Sequence, residues 1–250
     1  MSDRTTTPTL SAEQVVRRLE AFRARRGYLM AHQGVMAAAL PELQDAYAII
    51  YKALTLEQRH LEPLEKEFVW LVLLITAGEH IGTHHVALFY ERGGTEAQAE
   101  AAFRLAAFGA GTAAFEMLDA HWQRHFPALP AHAAYVQAGG ALLAGTPVAS
   151  AWARVALLAA HTARRDRWGV AQELIAAYGE GVPEGKLAEA MSLAMWPCGV
   201  NAFLEASEVW LELIRAGRVA AGEAFRAWAA MPGQEGLALP ARGPGNPASR

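Results

Sequence analysis

Three short motifs set the pattern of this chain: Ser11-Ala-Glu-Gln14, Thr55-Leu-Glu-Gln58 and Thr95-Glu-Ala-Gln98. In each, the hydroxyl is placed to accept the backbone N–H three residues on, while the glutamine reaches back to the capping residue. Each motif therefore predicts a helix start. Between them, apolar residues recur at helical spacing, as in Val15, Leu19 and Phe22, or Leu43, Ala46, Tyr47 and Ile50. Strand-like alternation persists nowhere, so the chain reads as all-α.

The predicted helices run from Ser11 to Arg26 (closed by Gly27), over 30–39, from Pro41, over 62–78, over 80–92 (stopped by Gly93-Gly94), over 95–108 and over 111–124. After a break at Pro127 and Pro130, helices are expected from His132, from Thr146-Pro147 to Ala163, and over 166–179, 184–196, 200–216 and 218–230. Residues 1–10 and 231–250 lack periodicity and read as disordered.

Composition narrows the classes of function. With 53% hydrophobic residues and a mean hydropathy of +0.10, the chain has ample core material and the makings of subunit interfaces. The longest apolar run, Phe68 to Ala77, falls well short of the roughly 20 residues of a bilayer span. Met1 to Thr9 has no signal-peptide core. The single cysteine, Cys198, allows no intramolecular disulfide. A cytoplasmic protein is the expectation. A net charge of -3 and no basic stripe argue against nucleic acid as partner.

The chemistry concentrates in one place. Glu79, His80, His84 and His85 crowd the junction after an apolar helix that carries Glu67. If 80–92 is one helix, His80 and His84 share a face, while His84 and His85 point about 100° apart. Three readings compete. One is general acid–base catalysis by an imidazole with a neighbouring carboxylate. Another is metal binding through His80, His84 and a glutamate. The third is a structural or capping role in an oligomeric scaffold. His161 reads as a buried, satisfied histidine. Glu116, Asp119, His121 and His125 read as an exposed helix face, and Trp70, Trp122 and Trp210 as core.

The two halves resemble each other. Gly82 and Gly94 recur as Gly169 and Gly181, 87 positions on (169 − 82 and 181 − 94). Gly111, Phe115 and Trp122 recur as Gly199, Phe203 and Trp210, 88 positions on. This gives a first repeat over 11–126 and a degenerate second repeat over 127–230. At the offset of 87, Glu67 faces Arg154, Glu79 faces Asp166, His80 faces Arg167, His84 faces Ala171 and His85 faces Gln172. One site per chain is expected, in the first half. The second half could close it through Trp168, Trp196, Cys198 or Asn201.

The run Leu64-Glu-Lys-Glu67, then His85, Gly93 and Thr95-Glu96, preceded by Leu40-Pro-Glu-Leu-Gln-Asp-Ala-Tyr47, resembles the carboxymuconolactone decarboxylase and alkylhydroperoxidase D superfamily. The superfamily's peroxidase branch needs a CxxC before the histidine. Those positions hold Gly78 and Ile81 here, so thiol chemistry has no nucleophile there. The resemblance therefore implies the decarboxylase-like branch. On the acid–base reading, His85 is the proton donor and Glu67 its orienting partner, with His84 or His80 contacting the substrate carboxylate. His80, Glu79, Trp168, Trp196 and Asn201 would bind the substrate, a small carboxylic acid such as a carboxylated ring or lactone. The resemblance further implies no organic cofactor, and a homo-oligomer, with a trimer favoured.

Overall fold

The computed structural model describes residues 10–234. The stretches expected to be disordered, 1–10 and 231–250, lie almost wholly outside that range. Among the described residues every regular element is helical. The helices fall into two compact units, one ending at Glu57 and one beginning at Gln58. The expected repeat boundary at 126/127 lies within the second.

The first unit holds α1 (Ala12–Arg26), α2 (Ala31–Ala39) and α3 (Pro41–Tyr51). Both halves of the Ser11–Gln14 capping box form, and Gly27 ends α1 in the left-handed conformation. Arg18 ties α1 to α3, donating to the Gln44 side chain and the Pro41 carbonyl, each at 3.0 Å. The Thr55–Gln58 motif does not cap a helix. Thr55 is buried in a π-helical turn, Lys52–Leu56, that prolongs α3, and its hydroxyl donates back to the Tyr51 carbonyl.

The second unit holds α4 (Pro63–Ala77), α5 (Thr83–Glu91), α6 (Glu96–Ala110), α7 (Ala113–Met117), α8 (Ala131–Leu143), α9 (Ser150–Arg164), α10 (Arg167–Gly179), α11 (Glu184–Leu193), α12 (Met195–Cys198), α13 (Val200–Arg215) and α14 (Glu223–Ala230). Two predicted boundaries move. Thr146 bonds back to the Leu143 carbonyl instead of opening α9, which starts at Ser150. The 111–124 helix is broken: α7 passes into a π-helical turn, Leu118–Trp122, and a 3₁₀ turn, Gln123–His125.

The core forms around α4 and α9, which pack on one another. Both are too apolar to present a solvated face: Glu65 to Leu74 and Ala153 to Thr162 are buried without interruption. Buried ions fix the start of α4. Glu189 of α11 accepts the backbone N–H of His60 and Leu61 at 2.7 and 2.8 Å, and Lys66 stands 3.3 Å away. Lys186 pairs with buried Glu65.

Several local features recur along the chain. Both α4 and α9 are 15 residues long, and each ends on a left-handed residue, Gly78 (φ 65°) or Arg165 (φ 57°). A Cβ on Gly82 would meet Leu74 at 2.8 Å, and one on Gly169 would meet His161 at 2.3 Å. Tyr90 donates to Glu96 at 2.9 Å, and Tyr178 donates to Glu184 at 2.6 Å. The left-handed glycines after α5 and α10 are Gly93 and Gly181.

Candidate active site

The site grows out of the end of α4. Glu67, Trp70 and Leu74 are spaced to lie on one side of that helix. Gly78 halts it, and the Glu79 carboxylate accepts the Ile81 N–H at 2.6 Å within the junction. Gly82 then turns the chain back against Leu74, a close approach that a side chain would block. With Gly82 as its N-cap, α5 begins at Thr83. His80 is therefore exposed in the junction and not on the helix, and the expected shared face of His80 and His84 does not form. Among the described residues, no group of three or more histidine, cysteine or acidic side chains is arranged to hold a metal.

His85, in the first turn of α5, faces α4. Its Nδ1 lies 2.8 Å from Oε2 of Glu67, with His85 3% and Glu67 7% exposed. When Glu67 is ionised it can only accept, which puts a proton on Nδ1 and leaves Nε2 as the ring nitrogen that Glu67 does not engage. The ring is held from two sides. Trp70 stacks on it with centroids 4.3 Å apart and planes at 21°. His84 lies 4.2 Å away at 40°. The Trp70 indole N–H is buried without a hydrogen-bond partner. Sequence reasoning placed Trp70 in the core only. The signal that it belongs to this site was its position one helical turn after Glu67.

The other sequence candidates lie elsewhere. Trp168 is half-buried, donates to Asp119 at 2.8 Å and packs edge-on against Tyr135. Trp196 is half-buried on α12, a short helix that packs against α4 and α9. Asn201 is exposed near the start of α13, and burial raises the Cys198 thiol pKa above its ordinary value.

The second half holds a buried polar network of its own. Arg154 Nη1 lies 3.1 Å from both oxygens of Glu173, which is fully buried. Tyr135 donates to Glu173 and lies 2.9 Å from His161 Nε2. His161 Nδ1 is 2.9 Å from Asp166 but lacks the alignment of a hydrogen bond. Burial raises the Glu173 carboxyl pKa, against the pull of Arg154. Burial also works to raise Asp166, yet His161 and the Gly169 N–H hold it below the ordinary value. Arg154, 87 residues after Glu67, thus bridges α9 to α10 as Glu67 bridges α4 to α5. Its partner on α10 is Glu173.

Comparison with curated proteins finds no match, and neither does comparison with solved structures. Residues 41–120, which include Glu67, Trp70, His84 and His85, match the model of the carboxymuconolactone decarboxylase family.

Proposed function

We propose that this protein is a carboxymuconolactone decarboxylase-like enzyme whose acid is His85. The observation that carries the reading is the buried 2.8 Å contact between His85 and Glu67 within the family-matched segment. In the reaction, the bond from the ring carbon to its carboxylate breaks and CO₂ leaves. The electron pair passes into the conjugated lactone, and a proton must then arrive at carbon. Glu67 fixes His85 through Nδ1, so protonated Nε2 makes that delivery and solvent restores the proton. His84, alongside, contacts the substrate carboxylate. The substrate class is a small carboxylated ring or lactone, handled without an organic cofactor by a cytoplasmic homo-oligomer.

The recurring helix ends, glycine contacts and Tyr–Glu bonds support a tandem origin for α4–α6 and α9–α11, with Arg154–Glu173 in the rear position of Glu67–His85. That position holds a guanidinium–carboxylate pair and no imidazole, which supports one acting site per chain. One observation favours a second reading. His85 is as buried as Arg154, and the pair could be a strut in a non-catalytic scaffold. Incubation with carboxymuconolactone separates the two: CO₂ release that is lost on His85→Asn supports the enzyme. No release from this lactone or related ring acids supports the strut.

A further inference from the structure

An open cleft of about 410 Å³ lies over the π-helical turn that follows α7, lined by Asp119, Ala120, His121, Gln123 and Arg124. Its volume is in the range of small-molecule sites. The backbone there is pinned from within. The Gln123 amide donates to the Phe126 and Leu129 carbonyls at 3.0 and 3.1 Å and accepts the Ala131 N–H at 2.8 Å. Asp119 is pinned from outside, because one carboxylate oxygen accepts the Trp168 indole N–H at 2.8 Å. Trp168 in turn rests edge-on against fully buried Tyr135, with centroids 5.5 Å apart.

Asp119 and Arg124 carry opposite charges into one cleft without pairing to each other. Trp168 holds the acid, and Arg124 Nε donates to His125 at 3.1 Å. The second oxygen of Asp119, the two terminal nitrogens of Arg124 and the His121 ring are left without a partner among the described residues. A guanidinium fork suits a carboxylate, and a free carboxylate oxygen suits an ammonium group. Trp122 and Phe126, which neighbour the lining residues in sequence, leave about half their surfaces in water with rings 6.2 Å apart.

We propose that this cleft binds a small aromatic zwitterion, an aromatic α-amino acid. Its carboxylate lies on Arg124, its ammonium on Asp119 and its ring against Trp122. The site is independent of His85, whatever that residue does.

Titration calorimetry of the full chain with L-phenylalanine tests it. Saturable one-to-one binding is expected, weakened at least tenfold by Arg124→Gln and by Asp119→Asn, the latter keeping an acceptor for Trp168. Phenethylamine and phenylacetate, each lacking one charge, are expected to bind at least tenfold more weakly. His85→Asn is expected to bind phenylalanine as the parent does, so loss of the catalytic reading leaves this one standing. No saturable binding, equal binding by Arg124→Gln, or phenylacetate binding as tightly as phenylalanine would overturn it.

Discussion

His85 Nδ1 sits 2.8 Å from Glu67 Oε2 beneath a stacked Trp70, and neither partner has more than a sliver of surface in water. A carboxylate–imidazole contact this enclosed depends on both members. Glu67→Gln keeps an acceptor but removes the charge that stabilises a protonated ring. Its decarboxylation rate is expected to fall at least about tenfold with the fold intact, whereas Glu67→Ala also leaves a buried donor unpaired, at a cost of about 1–3 kcal/mol. Steady-state rates together with denaturant unfolding distinguish the two variants.

The rear pair should behave as structure alone. Arg154→Ala strands the Glu173 carboxylate in the core and is expected to cost about 3–5 kcal/mol, while Arg154→Met with Glu173→Leu recovers much of that loss. Turnover per folded molecule stays unchanged in the double variant. Urea unfolding midpoints and rates on the same preparations check both statements.

Asp166 gives the acid limb of stability. Its folded-state pKa lies below the ordinary 3.8, so its contribution is fully present well above that pH and is lost as pH falls through the folded value. Asp166→Asn is expected to be less stable than the parent at neutral pH and to show a shallower loss of stability below about pH 4. Unfolding free energy measured from pH 7 to pH 2 tests this. Parallel curves for the two proteins would contradict it.

Two glycines should respond oppositely to the same change. A Cβ on Gly169 would lie 2.3 Å from Nδ1 of fully buried His161, whose ring is flanked by Tyr135 and Asp166. Gly169→Ala is therefore expected to destabilise by at least about 1–3 kcal/mol through overpacking. Gly140, inside α8, has no atom within 4 Å of its would-be Cβ, and Gly140→Ala is expected to stabilise by about 0.5–1 kcal/mol. Thermal melts of the two variants settle the signs.

Much of this arrangement was legible in the residues, for reasons that differ from place to place. Ser11 with Gln14 and Thr95 with Gln98 announced their helices because a capping box is a local interaction. Glu67 and His85 could be brought together because a helix, a short junction and a returning helix leave few other options. Thr55 misled because its hydroxyl finds the Tyr51 carbonyl before any downstream N–H. The His80–His84 face failed on Gly82: contact with Leu74 delays the helix to Thr83, and spacing alone carries no information about that contact. Glu173 carried no such signal: its contact with Arg154 joins two helices, and nothing local to either residue announces it. Trp70 was hidden because a tryptophan in an apolar helix looks like packing until the ring it packs against is known.

The most direct test of the account is CO₂ release from carboxymuconolactone by the parent and by His85→Gln, with unfolding of both proteins followed in parallel. The account predicts turnover by the parent and a loss of about 10²-fold or more in His85→Gln, without a matching loss of folded protein. A His85→Gln protein that turns over at the parental rate, or a parent that releases no CO₂ while the substitution unfolds the chain, would contradict it.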